Sequence, residues 1–92
     1  LKKRSLQLMT ENQRATEFAV YCIENVAVRL GCSGYDVFLE LQRTDGIRSF
    51  LYPSYPTLHT QGKDYIVDEV LEYIYRHNPD FQPGKASEEV QL

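Results

Sequence analysis

Apolar residues recur at intervals of three and four from Ala15 onward, with Phe18, Ala19, Cys22, Ile23, Val26 and Leu30 on one stripe of a helix. The run Thr10-Glu11-Asn12-Gln13 before it fits a capping box, in which the Thr hydroxyl accepts from the third helical N–H and Gln reaches back to the Thr backbone. Gly31 follows the stripe where a left-handed residue closes a helix. The pattern predicts a first helix over roughly 10–30. Val20, Tyr21 and Val28 fall off the stripe and widen the apolar arc past what one neighbour covers, which makes this the central helix. Other helices or a terminal arm are expected to cover these residues, the alternative being a partner or dimer interface.

Three further helices follow from the same reading. Ser33 with Asp36 three positions on repeats the capping signature, and Tyr35, Val37, Phe38 and Leu41 give a helix over roughly 34–45, ending near Asp45-Gly46. Ile47, Phe50 and Leu51 predict a short third helix over roughly 47–52. Tyr52-Pro53-Ser54-Tyr55-Pro56 is expected to be loop, because both prolines lack a donor and fix φ. Ile66, Val67, Val70, Leu71 and Ile74 form the face of a fourth helix over roughly 63–77, with Glu72 placed to pair with Arg76. Thr60 or Asp64 is expected to cap it, Gly62 to permit the turn, and Asn78-Pro79 to end it.

These elements predict an all-α bundle of about four helices occupying 10–78. Residues 1–9 show no periodicity before the single methionine, Met9, and read as an arm outside the native fold. Residues 79–92 read as a mobile tail whose Phe81 can pin its first residues to the core. A chain of 92 residues supports one core, and 42% hydrophobic with 25% charged residues is a globular balance. The net charge of −3, with basic residues scattered apart from Lys2-Lys3-Arg4, offers no face for phosphates and argues against nucleic acid. No run approaches the roughly 18 apolar residues of a membrane span, and no signal peptide is read. Cys22 and Cys32 are separated by roughly 15 Å of helix rise, beyond the ~7 Å a disulfide allows, so two free thiols in a reducing cytoplasm are expected.

Candidate chemistry is sparse. His59 stands in a polar loop beside Thr60 and Gln61, but no Ser-centred elbow or distinctive carboxylate pair accompanies it. His59 and His77 match no zinc spacing with the cysteines, and no phosphate-binding glycine motif occurs, so neither metal nor cofactor is expected. His77 in the last turn of a helix has an electrostatic role there. The segments around Thr44-Asp45-Gly46 resemble a helix-turn-helix, yet the recognition candidate offers only Arg48 and stops at Pro53. Seven tyrosines suit either contact surface or a core edge capped by rings with their hydroxyls in water, since tyrosine joins a large apolar ring to a polar tip. The candidate interaction surface is Tyr21 and Val28 on the first helix, with Tyr52, Tyr55, His59, Gln61 and Tyr65 around the loop. A non-catalytic, cytoplasmic protein-interaction domain is the leading expectation. A DNA-binding regulator and a small enzyme or ligand-binding domain centred on His59 are the alternatives.

Phe-Ala-Val-Tyr-Cys-Ile-Glu-Asn-Val-Ala-Val-Arg-Leu at 18–30, then 34–41, then Leu58-His59-Thr60-Gln61-Gly62 with Tyr65-Ile66-Val67-Asp68, resemble the bacterial family domain of unknown function 3791. The likeness covers residues 15–75, and Pro53 and Pro56 depart from the family pattern. No catalytic residues come with the family. The resemblance implies a partner, an ADP-ribosyltransferase-like protein encoded beside it in an arrangement similar to toxin and antitoxin pairs; a homodimer is the other association considered.

Overall fold

Helix α1 spans Lys2–Leu30, α2 Gly34–Arg43, α3 Tyr52–Leu58 and α4 Lys63–His77, with a π-helical turn over Ile47–Leu51 leading into α3. The computed structural model describes residues 2–83, and their side chains from Asn12 onward. No strand occurs among them, and the fold is the expected all-α bundle.

The apolar stripe of α1 is the centre of the molecule. Phe18, Ala19, Cys22, Val26 and Ala27 are buried, and α1 packs against α2, α3, α4 and the π turn. Val37 and Leu41 from α2, Leu51 from the π turn, and Val70 and Ile74 from α4 complete a core without solvent exposure. Each such aliphatic side chain stabilises the fold by about 1.5–3 kcal/mol relative to remaining in water.

Two helix boundaries follow local sequence closely. Gly31 adopts φ +69° after α1, and the Ser33 hydroxyl accepts from the Asp36 N–H at 3.2 Å to start α2. The Glu72–Arg76 pair forms at 3.2 Å. Phe81, half-buried, packs beside Tyr75 with ring centroids 5.9 Å apart; from Gly84 on, the expected mobile tail lies outside the described residues.

Other boundaries differ. Helix α1 passes through Thr10 without interruption, so the capping box there does not start it and residues 2–9 are not a structureless arm. The first thirty residues contain no glycine or proline, and Lys, Arg, Leu, Gln and Met before Thr10 are good helix formers that carry the helix through. Helix α2 stops at Arg43, and Asp45, rather than Gly46, takes the left-handed conformation at φ +59°. The third helix is not an α-helix over 47–52 followed by loop. Its first turn is π-helical, with the Tyr52 N–H donating to the Ile47 carbonyl, and α3 then contains both Pro53 and Pro56. Pro53 stands in the first turn of α3, where its missing N–H has no partner within that helix, whereas Pro56 lies inside α3 and forfeits the bond its N–H would have made to the Tyr52 carbonyl.

Helix α4 begins as placed but is not capped as expected. Gly62 is its N-cap, in extended rather than left-handed backbone, with no side-chain cap. Thr60 donates instead to the Thr57 carbonyl, and Asp64 reaches Arg29 on α1. At the other end Asn78, at φ −150° and ψ 83°, is outside the α region that the residue before Pro79 avoids.

The flanks of α1 are not covered by other helices as expected. Val20 is 54% exposed and Val28 79%, because α2, α3 and α4 all pack on the side carrying Cys22 and Val26.

Candidate functional site

Two aromatic pairs, each a tyrosine followed four residues later by a histidine, set the chemistry of the surface. On α3, Tyr55 and His59 stack with ring centroids 4.3 Å apart and planes 22° apart. Phe18 of α1 meets Tyr55 edge-on at 5.4 Å, which fixes the ring against the core. The i,i+4 spacing puts both rings on one side of the helix end. A turn closed by the Gln61 N–H donating to the Leu58 carbonyl at 2.9 Å then leads into α4.

These groups border an open cleft of about 370 Å³ between α1, α3 and the start of α4. Phe18 and Ile66 supply its apolar floor; Tyr21, Tyr55 and His59 stand along its sides, and Arg14, Glu17 and Gln61 line its rim. Spacing on α1 explains one side, since residues 14, 17, 18 and 21 recur at three and four along one face. Neither His59 ring nitrogen bonds to another described residue, and the Tyr55 hydroxyl is equally free of partners there. The cleft therefore offers donors and acceptors outward, over an apolar base.

Of the seven candidate surface residues, the fold brings Tyr21, Tyr55, His59 and Gln61 to this cleft. Val28, Tyr52 and Tyr65 are exposed but do not line it. Arg14 and Glu17 were missed by sequence reasoning. Their spacing to Tyr21 was visible, but which flank of α1 would border a cleft depends on where α3 docks.

The second pair is closed. Tyr73 and His77 of α4 stack at 4.0 Å, Phe50 stacks on Tyr73 at 4.8 Å, and the Tyr73 hydroxyl donates to the Thr44 carbonyl at 2.8 Å. His77 Nδ1–H donates to the Tyr73 carbonyl at 2.9 Å, so this histidine is tied to its own helix. Beside it Glu40, 6% exposed, accepts from Arg43 Nη2 at 3.0 Å and from Asn78 Nδ2 at 3.0 Å. A buried carboxylate satisfied this way joins α2 to the end of α4 and is structural.

Nucleophilic chemistry finds little support in these positions. No serine, threonine or cysteine lines the cleft among the described residues, and both cysteines, which carry free thiols, lie elsewhere. Burial pushes the Cys22 thiol up to about 12, and burial followed by the charge of Asp36 raises that of Cys32. Neither has the low-pKa environment of a reactive cysteine. No group of three metal-ligating side chains occurs among the described residues, and no described helix is long and apolar enough to cross a membrane. Arg48, the one basic residue of the recognition segment in the helix-turn-helix candidate, pairs with Asp45 at 3.4 Å.

The fold and cleft define a small all-α domain built around one long helix. Residues 17–77 match the model for a protein of unknown function, DUF3791, and the chain belongs to that family. No curated protein and no solved structure matches the chain.

Proposed function

We propose that this protein is a non-catalytic, cytoplasmic interaction domain that docks a segment of another protein in the cleft between α1, α3 and the start of α4. The observation that carries this reading is the convergence of Tyr21, Tyr55, His59 and Gln61 on one open cleft, where no described residue bonds the Tyr55 hydroxyl or the His59 ring nitrogens. Tyrosine-rich surfaces with an apolar base and a polar rim are what protein interfaces select. The partner implied by the family resemblance, a co-encoded ADP-ribosyltransferase-like protein, is the first to test. Affinity capture from native lysate with the wild-type chain should recover a partner that Tyr21→Ala with Tyr55→Ala loses. Equal recovery by wild type and double variant would place the contact elsewhere and end this reading.

A small ligand centred on His59 is the second reading, favoured by the exposure of that ring beside Gln61 and two tyrosines. The openness of the cleft weighs against it. Small-molecule sites bury about 70–90% of the ligand, whereas Arg14, Glu17, Tyr21, His59 and Gln61 are all exposed. General-base catalysis has a further obstacle, since no described carboxylate orients the His59 ring.

A further inference from the structure

Five arginines have described side chains, and four pair with carboxylates: Arg29 with Asp64 and Asp68, Arg43 with Glu40, Arg48 with Asp45, and Arg76 with Glu72. Arg14 has no such partner among the described residues, although Glu17 lies one turn away on the same helix. In a chain carrying 13 acidic and 10 basic residues, cations are the scarcer charge. The arginine without a carboxylate partner among the described residues is also the one that lines the cleft.

We propose that the cleft recognises an acidic peptide segment of a partner protein, in which an Asp or Glu side chain pairs with Arg14 and an adjacent apolar side chain rests on Phe18 and Ile66. This rests on the docking role assigned to the cleft above. The guanidinium presents a planar fork that matches a carboxylate bidentately, and the Gln61 amide supplies a further donor on the same rim. The stacked Tyr55–His59 pair gives the neighbouring side chain a flat aromatic wall. Glu17 on the same rim brings the summed charge of that pair to zero and so weakens the attraction of any anion, which leaves the bidentate fit to Arg14 as the source of selectivity.

The test is selection of a displayed library of random heptapeptides on the full chain, followed by sequencing of the retained pool. Enriched sequences should carry Asp or Glu next to Leu, Ile, Phe or Tyr. Arg14→Gln should weaken binding of a selected peptide by about tenfold or more, the loss of a charge-assisted contact. Glu17→Gln, which removes the opposing charge, should leave it unchanged or tighten it. A retained pool without acidic residues, no enrichment at all, or equal binding by Arg14→Gln would each overturn the proposal. A concentration-dependent dimer abolished by Arg14→Gln would put a second copy's carboxylate in the cleft and also overturn it. If Tyr55→Ala loses the native partner while Arg14→Gln keeps it, acidic recognition fails and the docking role stands. If neither variant affects that partner, both fall.

Discussion

The same residue spacing, tyrosine followed four positions later by histidine, has opposite consequences at Tyr73–His77 and Tyr55–His59. The stacking geometries are close, at 4.0 and 4.3 Å between centroids. The difference lies in the polar atoms. At the closed pair the tyrosine hydroxyl is bonded to Thr44, the histidine to its own helix, and Phe50 covers the outer face. At the open pair Phe18 supports Tyr55 from below and nothing described takes the polar atoms above. A motif on a helix does not distinguish a structural histidine from a recognition histidine; the partners of its ring do.

Truncating the two tyrosines is the largest test of that contrast. Tyr73→Ala removes the stack on Phe50 and His77 and the hydroxyl bond that joins α4 to the end of α2. It should destabilise the fold by about 3 kcal/mol in a urea melt. Tyr55→Ala loses the Phe18 edge contact but no hydrogen bond, and should cost about 1 kcal/mol while reducing partner capture. If Tyr55→Ala costs as much as Tyr73→Ala, the open pair is part of the scaffold and the contrast fails.

Glycine substitutions sharpen the same comparison at smaller amplitude. A Cβ on buried Gly46, at the closed end, would lie 2.8 Å from both Leu41 Cδ2 and Tyr73 Cε1. Gly46→Ala should therefore cost about 1–3 kcal/mol through overpacking. Gly62, next to the cleft, has negative φ and open space around its Cβ position. Gly62→Ala should change stability by less than about 0.5 kcal/mol, since restriction of the unfolded chain is offset by the poorer N-cap that alanine makes for α4. Thermal denaturation of the two variants side by side separates them, and a Gly62→Ala as destabilised as Gly46→Ala would show that the cleft margin is as tightly packed as the closed end.

What could be read in the sequence was what local periodicity and short-range chemistry determine. The buried stripe of α1, the Ser33 cap, the left-handed Gly31 and the Glu72–Arg76 pair all depend on residues within a few positions of one another. The helical Tyr-Pro-Ser-Tyr-Pro segment was hidden because only Pro53 falls in a first turn, where a missing N–H costs the helix nothing, while Pro56 is held inside α3 by packing of the segment on α1 and the π turn, which no local pattern shows. Helix α3 starts at Tyr52, and the π turn before it shifts the hydrogen-bond register. The Glu40–Asn78 bond joins residues 38 apart, and no local pattern announces it. The cleft was half legible: Tyr21, Tyr55, His59 and Gln61 stood out by type, but Arg14 and Glu17 became part of it only through the docking of α3 against α1.

The smallest effect expected is a pH dependence at the turn leading out of α2. The Ser49 hydroxyl donates to Asp45 Oδ2 at 2.6 Å, and this bond, with the nearby Arg48 guanidinium, lowers the Asp45 pKa from its ordinary 3.8. A carboxylate whose folded-state pKa is depressed binds its proton more weakly in the folded than in the unfolded chain. Its contribution is present above the unfolded value near 3.8 and is lost as pH falls through the lower folded value. Exposure of the group keeps the effect small. Asp45→Asn keeps a residue that tolerates the left-handed φ of +59° while removing the titration. Denaturation midpoints of wild type and variant should therefore converge as pH drops below about 4 and separate, with the wild type more stable, above it. A gap that persists unchanged into acid would mean that the carboxylate charge contributes nothing, and that the turn is held by backbone conformation and the packing of Gly46 against Tyr73.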